Sequence, residues 1–328
     1  MKKNIILILM LICILAISGC WSHKIETKEK VVTIGIAQWG ANPEFMRNVQ
    51  GFKDGLAENG YIEGENIEFI IENPETDLEL QRTIIESFVK QKVDLIFSIT
   101  TPGTLVAKNV TSEIPIVFSV CTFPVESGVI DSLESSGNNI VGTRNYVSVA
   151  RQYSAFEKIY PHTKTLAFIH HKGEPNSAAQ YLEMKDLLEK KDIKIIDVAA
   201  VDLKDMRMQL EHIIKDVDSL FSACDTLTHS AGGEETIIEL AKQYKKPSFA
   251  CNKEGILLGH LMGNVADFYV IGKISGRQAA LILGGARPSS LLTESPAEDY
   301  LILNTKTAAE IGIEIPQYIL DDAEEIVQ

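Results

Sequence analysis

The chain has no excess of basic residues: 31 Lys and Arg stand against 45 Asp and Glu, a formal net charge of −14. A surface this acidic is repelled by phosphate backbones and by anionic lipid head groups, which excludes nucleic acid as a partner. Cysteines are few, five in 328 residues. Cys13 and Cys20 lie near the N-terminus, leaving Cys121, Cys224 and Cys251, an odd number that implies no complete disulfide framework. Each of the three follows an apolar run, where a thiol ordinarily packs as a small buried hydrophobe. A Cys224–Cys251 bridge or a soft-metal cluster is the alternative for that pair. Short signatures of catalysis are missing as well. The sequence holds no G-x-S-x-G elbow, no phosphate-binding G-x-x-x-x-G-K-[ST] loop, no H-E-x-x-H and no C-x-x-C. Gly35-Ile36-Ala37-Gln38-Trp39-Gly40 lacks the second glycine of a dinucleotide fingerprint. The seven His are scattered; His170-His171 is the only adjacent pair, and chain neighbours do not usually hold one ion together. No enzyme activity, catalytic residue, metal or cofactor is expected.

What is present starts at the N-terminus. Lys2 and Lys3 precede an unbroken apolar run from Ile5 to Ile17, followed by Ser18-Gly19-Cys20, the layout of a secretory signal. The Ser-Gly-Cys ending resembles the bacterial lipobox, in which the Cys thiol is lipidated and the bond before it is cleaved. The apolar run is shorter than the roughly 20 residues that cross a hydrocarbon core. Residues 1–19 are therefore expected to be a lipoprotein signal peptide, with Cys20 the lipidation site. Residues 20–30, polar and charged, are the lipidated tether. The folded part is placed on the extracytoplasmic face of the cell membrane, held there by the lipid anchor alone. Residues 1–19 contain two Lys and no acid, so the remainder carries 29 basic against 45 acidic side chains, a net charge of −16.

From Val31 onward, β-branched runs alternate with stretches of helical periodicity. Strands are expected over 31–37, 67–71, 93–99, 114–120 and 139–142. Helices fall between them at 43–59, 78–91 and 105–110. The rhythm restarts after Tyr146, with strands over 165–170, 193–199, 219–224 and 247–250. Helices are expected over 150–160, 178–191, 203–215 and 234–244, and a long one over 268–283. Such alternation means βαβ units and parallel sheets covered on both faces. Two series mean an α/β chain of two doubly wound parallel-sheet lobes. Residues 31–144 plus about 266–296 make the N-terminal lobe, and 145–265 plus about 297–328 the C-terminal one. Ligands of such sheets bind outside the carboxyl ends of the strands, and two lobes facing each other there make a cleft that closes about a hinge.

The residues directly after the strands are polar or aromatic. Gln38-Trp39 follows the first, Thr100 to Thr104 the third and Cys121-Thr122-Phe123-Pro124 the fourth. In the second series come His170 to Ser177, Asp225 to Thr228, Cys251-Asn252, then Asn264 and Asp267. These groups hydrogen-bond and stack without offering an activated nucleophile, which suits a small polar ligand with a flat part. Thr101, Thr104, Ser177 and Thr228 read equally well as helix N-caps.

The run Gly35-Ile36-Ala37-Gln38, Gly51-Phe52-Lys53-Asp54-Gly55-Leu56 and Gly60-Tyr61-Ile62-Glu63-Gly64 resembles the opening of the tryptophan/tyrosine-type ABC transporter substrate-binding lipoproteins. Val93-Asp94-Leu95-Ile96, Thr101-Pro102, Ile114 to Phe118, Pro124 to Gly128, Asn176-Ser177, Asp225-Thr226, and Gly272 with Gly276-Arg277-Gln278 continue the likeness in order. The resemblance implies a periplasmic-binding-protein-like type I fold with three interlobe crossings. It also implies a monomer that delivers a small molecule, an aromatic amino acid or a relative of one, to ABC permease subunits. Carried over by position, Gln38, Thr100, Thr101, Thr122 and Phe123 line the cleft from the first lobe. Asn176, Asp225 and Asn252 line it from the second, with Asp267 near a crossing. Trp39 and Phe123 are candidates to stack on an aromatic ring. The family often has Thr-Asp-Pro where this chain has Thr122-Phe123-Pro124, and an acid where it has Asn252, leaving Asp225 or Asp267 to meet a ligand ammonium. The alternative is a ligand-sensing lipoprotein of the same fold that signals to a membrane receptor.

Overall fold

The computed structural model describes residues 31–328; the expected signal peptide, the Cys20 lipidation site and the tether lie outside them. The first series folds as β1 (Val32–Ala37), α1 (Pro43–Ala57), β2 (Ile67–Glu72), α2 (Leu78–Gln91), β3 (Leu95–Ile99), α3 (Thr101–Val110), β4 (Ile116–Cys121) and β5 (Ile140–Arg144). The strands form a parallel sheet in the order β2-β1-β3-β4-β5. β3 and β4 are buried at every position, which is why their sequences are continuous apolar runs and do not alternate. Phe52 of α1 stacks on Phe97 of β3, ring centroids 3.8 Å apart, within a core that α1 seals against the sheet.

The second series is α4 (Val149–Ile159), β6 (Thr165–His171), α5 (Pro175–Glu189), β7 (Lys194–Ala200), α6 (Leu203–Ile213), β8 (Ser219–Ser222), α7 (Gly233–Gln243), β9 (Ser248–Ala250), α8 (Lys253–Leu258) and β10 (Met262–Val265). The chain then runs through α9 (Phe268–Leu283), β11 (Tyr300–Asn304), α10 (Thr305–Ile311), α11 (Gln317–Asp321) and β12 (Glu325–Val327). Strands β6 to β12 form a second sheet in the order β12-β11-β10-β9-β8-β6-β7. Its core is separate, with Phe156 of α4 stacked on Phe249 of β9 at 4.3 Å. The sheet is not wholly parallel. β11 runs antiparallel to β10, Met262 opposite Leu303, because the chain re-enters this sheet from the opposite end after α9.

The backbone passes between the sheets three times: after β5, between β10 and α9, and before β11. α9 lies on the first sheet, where the Ser275 hydroxyl donates to Thr143 Oγ1 at 2.9 Å. Its close partner is α1. A Cβ on Gly272 would stand 2.1 Å from the Asn48 carbonyl oxygen, and one on Gly51 2.1 Å from that of Tyr269. Glycines on both helices thus let the backbones touch, which fixes the crossing that carries α9 over from the second sheet.

Three local expectations are corrected. α3 begins at Thr101, four residues before the expected Leu105, because Pro102 suits a first turn and Thr100 caps it, its Oγ1 accepting from Gly103 N at 3.4 Å. Thr101, Thr104, Ser177 and Thr228 do not act as N-caps. Thr104 and Ser177 lie inside helices, and the Thr228 hydroxyl donates to the Ala223 carbonyl at 2.6 Å, closing the loop after β8. Lastly, Cys224 and Cys251 are not free buried thiols but a disulfide with Cα atoms 5.9 Å apart. β8 and β9 are neighbours, Ser222 opposite Ala250, so the residues just beyond them meet. Cys121 is free and buried as expected, and burial pushes its thiol up to about 12.

Candidate ligand-binding site

In each sheet the strand order reverses once beside the first strand of its series, between β1 and β3 and between β6 and β8. The loops leaving those four strands, with the first turns of the helices that follow them, line a cavity of about 510 Å³ to which both sheets contribute. This is the topological switch point at which open α/β sheets take ligands, and the volume is that of a small-molecule site.

On the first sheet's side, Trp39, Thr100 and Val120 stand at or just past the ends of β1, β3 and β4, and all three line the cavity. Each has a positive φ, +74°, +72° and +59°. Side-chain-bearing residues enter that region at a cost of about 1–3 kcal/mol each, a strain that concentrates at functional sites. The Trp39 turn is held by the Gln38 side chain, which donates to the Gly40 carbonyl at 2.9 Å, and by Thr76 N, which donates to the Trp39 carbonyl at 2.8 Å. Phe45 and Phe268, stacked at 6.1 Å, add an apolar stretch to the wall. The N-terminus of α3 opens here through Thr100, Thr101 and Pro102, bringing the positive end of a helix dipole.

The second sheet's side is acidic. Glu174, Asp225, Glu234, Glu235 and Glu254 line the cavity, and no Lys or Arg does so among the described residues. Most of these carboxylates are occupied. Asp225 Oδ1 accepts from Leu227 N and Thr228 N at 3.1 and 2.9 Å, and Oδ2 from His171 N at 2.7 Å. Burial and the neighbouring Glu174 nevertheless raise its carboxyl above the usual range. Burial also opposes ionisation of Glu234, but His260, 2.7 Å away, together with His229 and Asn252, outweighs it and holds that carboxyl below the usual range. Glu254 accepts from the Asn42 side chain, a bond between the two walls of the cavity.

Glu174 differs. Its Oε1 accepts from Thr226 N at 3.0 Å and from the Thr226 hydroxyl, and lies 3.5 Å from His171 Nδ1, an ion-pair contact that raises the imidazole's pKa. Its Oε2 is buried and has no hydrogen-bond partner among the described residues. Asn176 Oδ1 and Trp39 Nε1 share that condition, and all three residues line the cavity. Three unpaired buried polar atoms around one cavity are groups that a bound ligand can satisfy.

The family model for ABC transporter substrate binding proteins matches residues 33–327. The chain belongs to this family. A curated relative, the tyrosine-binding protein of Clostridioides difficile strain R20291, is 26% identical over 292 residues, 89% of this chain and 84% of that one. A solved ABC domain from Streptococcus pneumoniae in complex with L-Trp superposes with a TM-score of 0.85 at 24% identity, covering 90% of this chain and 99% of that one. The ligand-free, open structure of a substrate-binding protein with adhesive properties from Clostridium difficile gives 0.73 at 26% identity, covering 91% and 100%.

The family and these neighbours are solute-binding proteins, not enzymes, and ABC substrate-binding proteins work outside the cytoplasm. In this substrate-binding protein, seven residues singled out in the sequence line the cavity: Trp39, Thr100, Thr101 and Thr122, then Asn176, Asp225 and Asn252. Three do not. Gln38 braces the Trp39 turn. Phe123 packs edge-on to Tyr146 at 5.5 Å, beside the crossing after β5. Asp267 caps α9 and pairs with Arg47 at 3.1 Å. Glu174, His229, Phe45 and Phe268 were not anticipated. Glu174 lay within the noted run from His170 to Ser177, and its place before Pro175 marked a helix start, but its partner Thr226 stands 52 residues away.

Proposed function

We propose that the protein is a solute-binding lipoprotein, lipidated at Cys20 and monomeric, that closes over a small amine-bearing ligand and delivers it to the permease subunits of an ABC importer. The ligand class is an aromatic amino acid or a close relative. The observation that carries this reading is Glu174 Oε2, a buried carboxylate oxygen that has no partner among the described residues, in a cavity to which none of their Lys or Arg contributes. A ligand ammonium supplies the missing charge. Glu174 thereby takes the part that the acids absent at Phe123 and Asn252 would have played, while Asp225 and Asp267 are engaged in local bonds. The α3 N-terminus receives a ligand carboxylate, and Trp39, Phe45 and Phe268 flank its ring.

Closure is supported by the Asn42–Glu254 bond between the walls and by the greater likeness to the L-Trp complex than to the open, ligand-free relative. The hinge lies at the three crossings, dividing the lobes near residues 144, 266 and 296. A thermal-shift screen of amino acids, nucleosides, thiamine-like compounds and small carboxylates tests the ligand class, because a ligand of the native state raises the midpoint by mass action. Trp, Tyr or Phe is expected to shift it; a shift only with a compound that carries no amine refutes the proposal.

A further inference from the structure

The disulfide of the second lobe lies in the wall of the cavity and has a third group beside it. Cys224 and His229 line the cavity. His229 Nε2 is 3.9 Å from Cys251 Sγ. The Sγ atoms of Cys224 and Cys251 and a ring nitrogen of His229 all fall within 4.8 Å of one another. The tautomer of His229 follows from its neighbour. Asn252 Oδ1 accepts from Gly255 N at 2.7 Å, so the other end of that amide is the NH2 group, and it donates to His229 Nε2 at 2.8 Å. Nε2 is therefore the unprotonated nitrogen; its lone pair accepts from Asn252, and a cation bound there takes that lone pair in place of the Asn252 bond.

Two sulfurs and one imidazole nitrogen, held at the ends of β8 and β9 and in the loop after β8, make the donor set of an open Cys2His site. The surroundings favour a cation. Glu234 Oε1 lies 3.8 Å from His229 Nε2, and Asp225 adjoins Cys224. Two thiolates and a neutral imidazole around a divalent ion sum to no net charge, which spares the buried wall an unpaired charge.

We propose that Cys224 and Cys251 are a reversible redox pair whose reduced form, with His229, binds a thiophilic cation of the Zn2+ class at the wall of the ligand cavity. In the first step a dithiol or phosphine reductant supplies two electrons. The S–S bond breaks and both sulfurs become thiols: a dithiol gives its two protons with the electrons and closes to its own disulfide, whereas a phosphine becomes its oxide, one water supplying the oxygen and the two protons. In the second step the cation binds both sulfurs and His229 Nε2, and the two thiol protons leave to solvent. This inference stands apart from the ligand reading, since it needs neither Glu174 nor an amine.

The test is equilibrium dialysis of the folded protein against Zn2+, with and without a phosphine reductant, followed by metal analysis. A parallel Co2+ titration reads the thiolate charge-transfer band. The expected result is one Zn2+ per chain in the reduced protein and none in the oxidised one. Under reduction, Cys251→Ser is expected to lose the Co2+ band. His229→Ala is expected to weaken binding about tenfold or more, the loss that follows when even an outer partner of a metal is removed. Cys121→Ser serves as the control and is expected to bind like the parent. Equal Zn2+ in oxidised and reduced protein overturns the proposal, as does unchanged binding in His229→Ala. Circular dichroism accompanies each sample, and a reduced chain that loses its helical signal also overturns it, because the site requires the folded ends of β8 and β9.

Discussion

At the scale of single residues, the cavity has acids whose oxygens are engaged by the wall and one, Glu174, with an oxygen left unengaged, which the proposed reading gives to the ligand. Glu174→Gln keeps the bonds to Thr226 but removes the charge, so it is expected to weaken an amine-bearing ligand by about 2 kcal/mol or more, roughly 30-fold, with little change in melting temperature. Calorimetry with the parent as reference checks it. Asp225→Ala has the opposite signature. Three backbone N–H groups lose their acceptor, and a loss of about 2 kcal/mol or more of folding stability is expected in denaturant unfolding. Asp225 also sets a pH dependence. Its folded carboxyl is raised by burial and by Glu174, so the fold holds that proton more tightly than the unfolded chain does. The contribution favours folding below the unfolded value of about 3.8 and is lost as pH rises through the raised one. The stability of the parent relative to Asp225→Asn is therefore expected to fall over that window in ligand-free protein. Bound amine should flatten the fall; a difference independent of pH contradicts the assignment.

At the scale of elements, the helix pair α1 and α9 is the most constrained joint. Gly272→Val places a side chain where only 2.1 Å separates a Cβ from the Asn48 carbonyl. Overpacking against backbone is expected to cost about 3 kcal/mol, read as a lower unfolding midpoint. This is also the scale at which the sequence is most legible. α2 and α9 have the ends that apolar periodicity predicts, because they are 14 and 16 residues long and their buried positions recur at helical spacing. α8 and β10 escape it, being six and four residues long, too short for a period to register. β11 and β12 follow a long connection, and their pairing depends on where α9 returns the chain. The site is legible by type and not by partner. The strand ends that carry polar groups do surround the cavity, but the disulfide and the pairing of Glu174 with Thr226 arise only when β6, β8 and β9 lie side by side.

For the whole molecule, function rests on two sheets with separate cores joined by three crossings and a cavity that needs both. On the proposed reading, ligand contacts to the second wall stabilise the arrangement in which the walls meet. Small-angle scattering is expected to show a smaller radius of gyration on adding ligand, with no such change for Glu174→Gln at the same concentration. The central claim, recognition of an amine in this cavity, is tested most directly by calorimetric titration with an aromatic amino acid and with its N-acetyl derivative, which keeps the ring and the carboxylate but has no ammonium. The account predicts saturable binding of the free amino acid and none of the acetylated one. Equal affinity for the two would contradict it.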